Sequence, residues 1–209
     1  MKFVLLVEGD TEKLAAGDFL SRWLNPQLER NVGIQVVRFS GYSELLRKVA
    51  TKAQMHLDGP RQSQVIAVIG LIDLYGPHEF YPSHAKTADE RYEWGTRHIE
   101  KEVGRDRFRM FFAVHDFEAW LLSQPTIFPS DIKSALPGKI AQPEAVNFDE
   151  PPAKLLDKVY KARTRRNYKK TTYGRELFGK LDPVVAAQKC PRLSQMLNEM
   201  LRLAKSAGN

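Results

Sequence analysis

Three hydrophobic runs of this 209-residue chain end on carboxylates, and chemistry can be argued from those positions first. Glu8 follows Phe3-Val4-Leu5-Leu6-Val7, Asp73 stands at the end of residues 65–74 (VIAVIGLIDL), and His115, Asp116 and Glu118 follow residues 107–114 (RFRMFFAV). If these runs are neighbouring parallel strands, Glu8, Asp73 and Glu118 converge on one patch. Gathered carboxylates repel, and a divalent cation relieves the repulsion; oxygen-only ligation suits Mg²⁺ or Mn²⁺ over zinc. Such an ion polarises a phosphoryl oxygen, activates water and steadies a leaving group, the core of phosphodiester chemistry. An acid after a strand can instead cap the next helix, and Asp10, Glu12 and Asp116 read first as caps. Glu8 and Asp73 read first as chemical, because each closes an otherwise apolar strand. His115 stays open between metal ligand, phosphate contact and structural imidazole.

The elements that must position these groups follow from periodicity. The run before Glu8 reads as a buried parallel strand; Gly9 turns the chain, and Asp10 or Thr11 is expected to cap a helix over residues 12–25. Residues 33–39 (GIQVVRF) form a second strand, and residues 42–57 a helix with Ser43 as its expected cap. The run closing at Asp73 is the expected central strand. Residues 75–86 (YGPHEFYPSHAK) form an aromatic, turn-rich loop, Thr87-Ala88-Asp89 opens another helix, and residues 107–114 make the fourth strand. From His115 the chain turns into a helix whose apolar face is Phe117, Trp120 and Leu121. The alternation implies an α/β fold: a small parallel sheet of about four strands with helices on both faces. At the carboxyl edge of such a sheet, a charged side chain is placed to meet a ligand.

Beyond Ser123 the pattern changes. Prolines at 125, 129, 137, 143, 151 and 152 punctuate a poorly periodic region. Helical stretches follow at residues 153–162, 174–181 and 191–204. The expected division is residues 1–123 as the α/β domain and 124–209 as a basic helical appendage packed on it. The charge is +7 overall, yet residues 154–180 hold ten Lys or Arg against Asp157 and Glu176, leaving the rest of the chain slightly negative. Basic charge gathered in one stretch is the footprint of a polyanionic partner, or else a solvated helix face. The single Cys190 rules out an internal disulfide and a Cys-based zinc site. It suits a reducing cytoplasm. No apolar run reaches the roughly 18 residues needed to span a bilayer, so no membrane association is expected. The P-loop, dinucleotide-fold, nucleophile-elbow and His-Glu-x-x-His patterns are missing.

The blocks VEGDTE, LIDLYG, HDFEAWLLSQP, YKKTTYG and CPRLSQML, in this order between Val7 and Leu197, resemble a bacterial Toprim-like family catalogued as domain of unknown function 4276. That family is related to the Toprim domains of overcoming-lysogenization-defect nucleases. The resemblance implies a small Toprim/Rossmann-like parallel sheet, Mg²⁺ binding and phosphodiester cutting or transfer. Glu8 matches the Toprim glutamate, a general acid or base, and Asp73 the first residue of the Asp-x-Asp pair. The second position holds Tyr75, so Glu118 is the candidate replacement ligand and Glu12 a second-line one. The resemblance also implies an ABC-like ATPase partner and a role against phage.

Lys169 and Lys170 open the YKKTTYG block. Two lysines, two threonines and a glycine in a turn can contact phosphates, or the block is an ordinary basic helix cap. With Arg163, Arg165 and Arg166 beside them, nucleic acid is the favoured ligand. The leading reading is therefore a Mg²⁺- or Mn²⁺-dependent nuclease. Its catalytic residues are Glu8, Asp73, His115 and Glu118; its metal ligands are Glu8, Asp73 and Glu118; its nucleic-acid contacts are Arg163, Arg165, Arg166, Lys169 and Lys170. The alternative is a catalytically inactive module that binds nucleic acid or a partner.

Overall fold

A computed structural model describes residues 1–138, 140–146 and 150–209. Four strands, β1 (Lys2–Val7), β2 (Gly33–Arg38), β3 (Val65–Asp73) and β4 (Phe108–Ala113), form one parallel sheet in the order β2-β1-β3-β4. The α/β reading with a four-stranded parallel sheet is thus the observed architecture. Phe3 to Val7 are fully buried, as a strand covered on both faces requires. Burying each of these side chains contributes roughly 2 kcal/mol. β2 lies at an edge and alternates exposed with partly covered positions, the mark of a half-covered strand.

Between the strands run α1 (Asp10–Leu24), α2 (Tyr42–Leu57) and α3 (Ala88–Val103). α1 packs with the later helices α7 (Arg175–Lys180), α8 (Pro183–Lys189) and α9 (Pro191–Ser206), while α2 and α3 pack together against the other side of the sheet. From β1 the chain moves to one edge of the sheet and from β3 to the other. The strand order therefore reverses between β1 and β3, and a crevice opens there at their carboxyl ends. Glu8 and Asp73 end the two strands that flank it.

Two expected caps are corrected. The residue before α1 is Gly9, with no side chain capping the helix; Asp10 is turned outward to Arg38 (3.1 Å) and Thr11 is buried. α2 starts after Gly41, whose φ of 109° only glycine adopts readily, so Ser43 lies inside the helix and does not cap it. Thr87 does cap α3, in a reciprocal pair with Glu90. After β4 the chain makes turns before the short helix α4 (Ala119–Leu122), so the helix expected from His115 starts later. The proline-rich stretch contains α5 (Ser130–Ala135), which periodicity did not reveal, and α6 (Pro152–Thr164) follows. No helix among the described residues is long and apolar enough to cross a membrane.

An aromatic cluster fixes α4 against α1 and α7. Phe117 stacks on Phe178 at 4.1 Å, Trp120 meets Phe117 edge-on at 4.6 Å, and Phe19 stacks on Trp120 at 5.7 Å. The cluster is buried, and it holds Glu118, which lies between Phe117 and Trp120 in sequence, in register with α1.

Candidate functional site

The strand ends are tied together by their own acids. Glu8 Oε1 accepts the backbone N–H of Asp73 at 2.6 Å, and Asp73 Oδ1 accepts that of Phe117 at 2.8 Å. The backbone N–H of Tyr75 donates to the His115 carbonyl at 2.9 Å. β1, β3 and the turn after β4 thus meet across the crevice. Glu8 and Asp73 are partly exposed; Glu12, Asp116 and Glu118 are buried behind them. Asp116 Oδ2 accepts the backbone N–H of Ala153, so Asp116 caps the start of α6 from a distance, not its own helix.

Into this acidic patch projects Lys170. Its ammonium lies 2.9 Å from Glu118 Oε2, although Lys170 is 52 residues further along the chain. Lys170 opens a five-residue π-helical turn, Lys170–Gly174, a geometry rare in proteins and frequent at functional sites. Gly174 allows the close approach: a Cβ there would stand 3.0 Å from the Tyr168 hydroxyl and 3.2 Å from Thr11 Cγ2 of α1. The lysine expected to touch nucleic acid is therefore anchored among the candidate metal ligands, its side chain still 43% exposed.

Burial raises the pKa of the surrounding acids, and their mutual repulsion adds to it. Glu12 is pushed up to about 7, first by burial and then by Glu118, and Asp116 also to about 7 for the same two reasons. Glu8 is raised by burial, against the opposing Asp73 hydrogen bond and Lys170. Asp73 is raised well above the ordinary range by burial, with Lys170 opposing and Glu8, Glu12 and Asp116 adding. Burial works against the charge on Lys170, but Glu118, Asp73 and Asp116 outweigh it and hold the ammonium protonated.

Some capacity in the patch is unused. Glu118 Oε1, Asp116 Oδ1 and the Tyr168 hydroxyl are buried with no hydrogen-bond partner among the described residues. Unspent carboxylate oxygens in an all-oxygen set fit a hard divalent cation by donor chemistry. Among the described residues, however, no three acids, imidazoles or thiols are already arranged around a common ion position. Lys170 is the positive group that Glu118 contacts instead.

The other expected residues lie around this patch. His115 is buried, burial lowers its pKa, and it lines a cleft of about 660 Å³ with Asp89, Glu144 and Arg192. Arg163, Arg165, Arg166 and Lys169 are exposed. Lys154, Lys158 and Lys161 are also exposed; spaced at i, i+4 and i+7, they form a basic stripe along α6. The stripe starts beside the patch, where the Lys154 ammonium lies 5.6 Å from the Tyr75 ring. Residue types alone did not bring Lys170 and Tyr168 into the site. The YKKTTYG block suggests a phosphate contact or a basic helix cap but carries no sign that Lys170 reaches Glu118.

The family model described as domain of unknown function (DUF4276) matches residues 7–201. Among solved structures the chain is similar to the C-terminal region of the Burkholderia pseudomallei OLD protein, at 19% identity over 98% of each chain and a TM-score of 0.48. No curated protein matches it.

Proposed function

The chain belongs to the DUF4276 family, and from that premise we propose that it is a Mg²⁺- or Mn²⁺-dependent enzyme acting on the phosphodiesters of nucleic acid, a nuclease. One observation carries the reading: Glu8, Asp73 and the Glu118 turn meet at the strand-order reversal, with buried carboxylate oxygens left unspent. The resemblance of VEGDTE and LIDLYG to Toprim blocks supports it. Glu8, Asp73 and Glu118 would hold the ion, with Glu12 and Asp116 behind them. When bound, the ion would polarise a phosphoryl oxygen and lower the pKa of water.

The chain's own groups do the rest. Glu8, pinned by the backbone N–H of Asp73, takes or returns a proton. Lys170 presents an ammonium that stays charged to the phosphate entering the patch. His115 meets the substrate from the adjoining cleft. Arg163, Arg165, Arg166 and Lys169, with the stripe on α6, hold the backbone electrostatically. The division into residues 1–123 and 124–209, a cytoplasmic setting, an ABC-like ATPase partner and a role against phage belong to the same proposal.

The test is cleavage of plasmid, single-stranded DNA and RNA in Mg²⁺ or Mn²⁺. Glu8→Gln and Asp73→Asn are each expected to lower the rate by at least about a hundredfold. Equal cutting by wild type and both variants would assign the activity to a contaminant. A second reading, a catalytically silent binding module, is favoured by the Lys170–Glu118 pair, which already supplies the patch with a positive charge. It predicts no Mn²⁺ uptake by calorimetry and nucleic-acid affinity that falls steeply with salt.

A further inference from the structure

All five acids of the patch feel one ammonium. Lys170 opposes the burial of Glu8, Glu12, Asp73 and Asp116, and it pairs directly with Glu118. Lys170 bonds directly to only one of these five acids, and buried oxygens of Glu118 and Asp116 stay unspent, so the patch keeps oxygens that can accept a cation. Glu118 can offer both of its oxygens to a cation only if Lys170 lets go of one. The other Glu118 oxygen is buried and unspent.

Lys170 also has somewhere else to go. Its side chain is 43% exposed, while Glu118 is fully buried. The lysine can swing toward solvent and the carboxylate cannot follow. An anionic phosphate at the mouth of the patch would offer the ammonium a second partner of equal chemistry. Moving Lys170 onto it would free Glu118.

We propose that Lys170 is an exchangeable counter-ion, so that a nucleic-acid phosphate and a divalent cation bind this patch cooperatively, each favouring the state the other needs. Substrate phosphate draws Lys170 off Glu118, and the released carboxylate completes the cation site. By linkage the effect is reciprocal: the cation must tighten nucleic-acid binding by the same factor that nucleic acid tightens cation binding. Metal loading is then gated by substrate, and without nucleic acid the ion is held weakly. No bond is made or broken in this step; one ion pair is exchanged for two. The inference rests on the metal-dependent reading above.

The experiment is calorimetric titration of Mn²⁺ into the full chain, with no cutting measured. Lys170→Met removes the competitor and is expected to bind Mn²⁺ alone about tenfold more tightly than wild type. Lys170→Arg keeps the charge and grips Glu118 through a fork of donors, so it should bind Mn²⁺ more weakly than wild type. A saturating single-stranded oligonucleotide with cleavage-resistant phosphorothioate linkages should strengthen Mn²⁺ binding in wild type and less so in Lys170→Met. Heat exchanged with the oligonucleotide alone is subtracted. Circular dichroism checks that both variants fold, and if Lys170→Met does not, the order of Lys170→Arg against wild type and the oligonucleotide effect in wild type decide. Weaker or unchanged Mn²⁺ binding in a folded Lys170→Met, or stronger binding in Lys170→Arg, overturns the exchange while leaving the metal-dependent reading intact. No Mn²⁺ binding by any form, with or without oligonucleotide, overturns both.

Discussion

Glu118 and Glu144 are both buried glutamates far from their partners in sequence, yet they are held in opposite ways. Glu144 accepts the backbone N–H groups of Arg192 at 2.8 Å and Leu193 at 3.1 Å, one on each oxygen, at the start of α9. Glu118 accepts from Lys170 on one oxygen, and the other has no hydrogen-bond partner among the described residues. Burial is common to both and therefore marks neither as functional. The difference lies in unspent bonding capacity: Glu144 is a completed helix clamp, whereas Glu118 has room for another ligand.

Replacing each by a near-isostere is the sharpest way to break this comparison. Glu118→Gln should cut metal-dependent cleavage by about a hundredfold or more, because a neutral amide is a poor ligand for a hard cation. Its stability should hold, since Lys170 is part-exposed and keeps the nearby charges of Asp73 and Asp116, so it is not left as a buried lone charge. Glu144→Gln should cleave at the wild-type rate. Equal loss of cleavage in the two variants, measured on the same substrate, would mean that unspent capacity does not separate them.

The second effect lies in stability. Glu144→Ala leaves two N–H groups at the start of α9 without their acceptor, the Leu193 one buried, and should lower unfolding free energy by roughly 2 kcal/mol. Chemical denaturation reads it directly. A loss below about 0.5 kcal/mol would show that water serves the helix end as well as Glu144 does.

The four strands were legible because apolar runs closed by a charge or a turn leave few alternatives, and Thr87 was legible because its capping partner Glu90 is three residues away. That strand-end acids would share an edge was legible too, since a parallel sheet puts all its carboxyl ends on one side. α8 escaped notice, although Asp182 followed by Pro183 is a capping residue before proline at the first helical position, and the Asp182 side chain does accept the Val184 N–H. The place of Lys170 had no local signal. It depends on a π-helical turn and on Gly174 fitting against Thr11, and pairing over 52 residues leaves no periodicity to read. Asp116 was legible as a cap but not as the cap of α6, for the same reason.

The last contrast concerns pH, and it separates the two regions without abolishing either. Glu12, Asp116 and Glu144 each have a folded pKa pushed up to about 7, from ordinary values of 4.5, 3.8 and 4.5. A raised acid means that the folded chain holds a proton the unfolded chain has released. Stability therefore falls as pH rises from about 4 to 7, and the loss is complete above the folded values. On the proposed metal-dependent reading, Mg²⁺ bound at the strand-end patch would favour its ionised folded state, so Mg²⁺ raised until it loads the patch should flatten the share of the slope due to Glu12 and Asp116. Glu144 faces backbone N–H groups at a helix start, with no second carboxylate among the causes of its shift, so its share should persist in Mg²⁺ and vanish in Glu144→Gln. Denaturation curves between pH 4 and 8, with and without Mg²⁺, resolve the two shares. A slope that Mg²⁺ leaves untouched would make the patch as self-sufficient as the clamp, and the distinction between the two glutamates would then reduce to their positions in the fold.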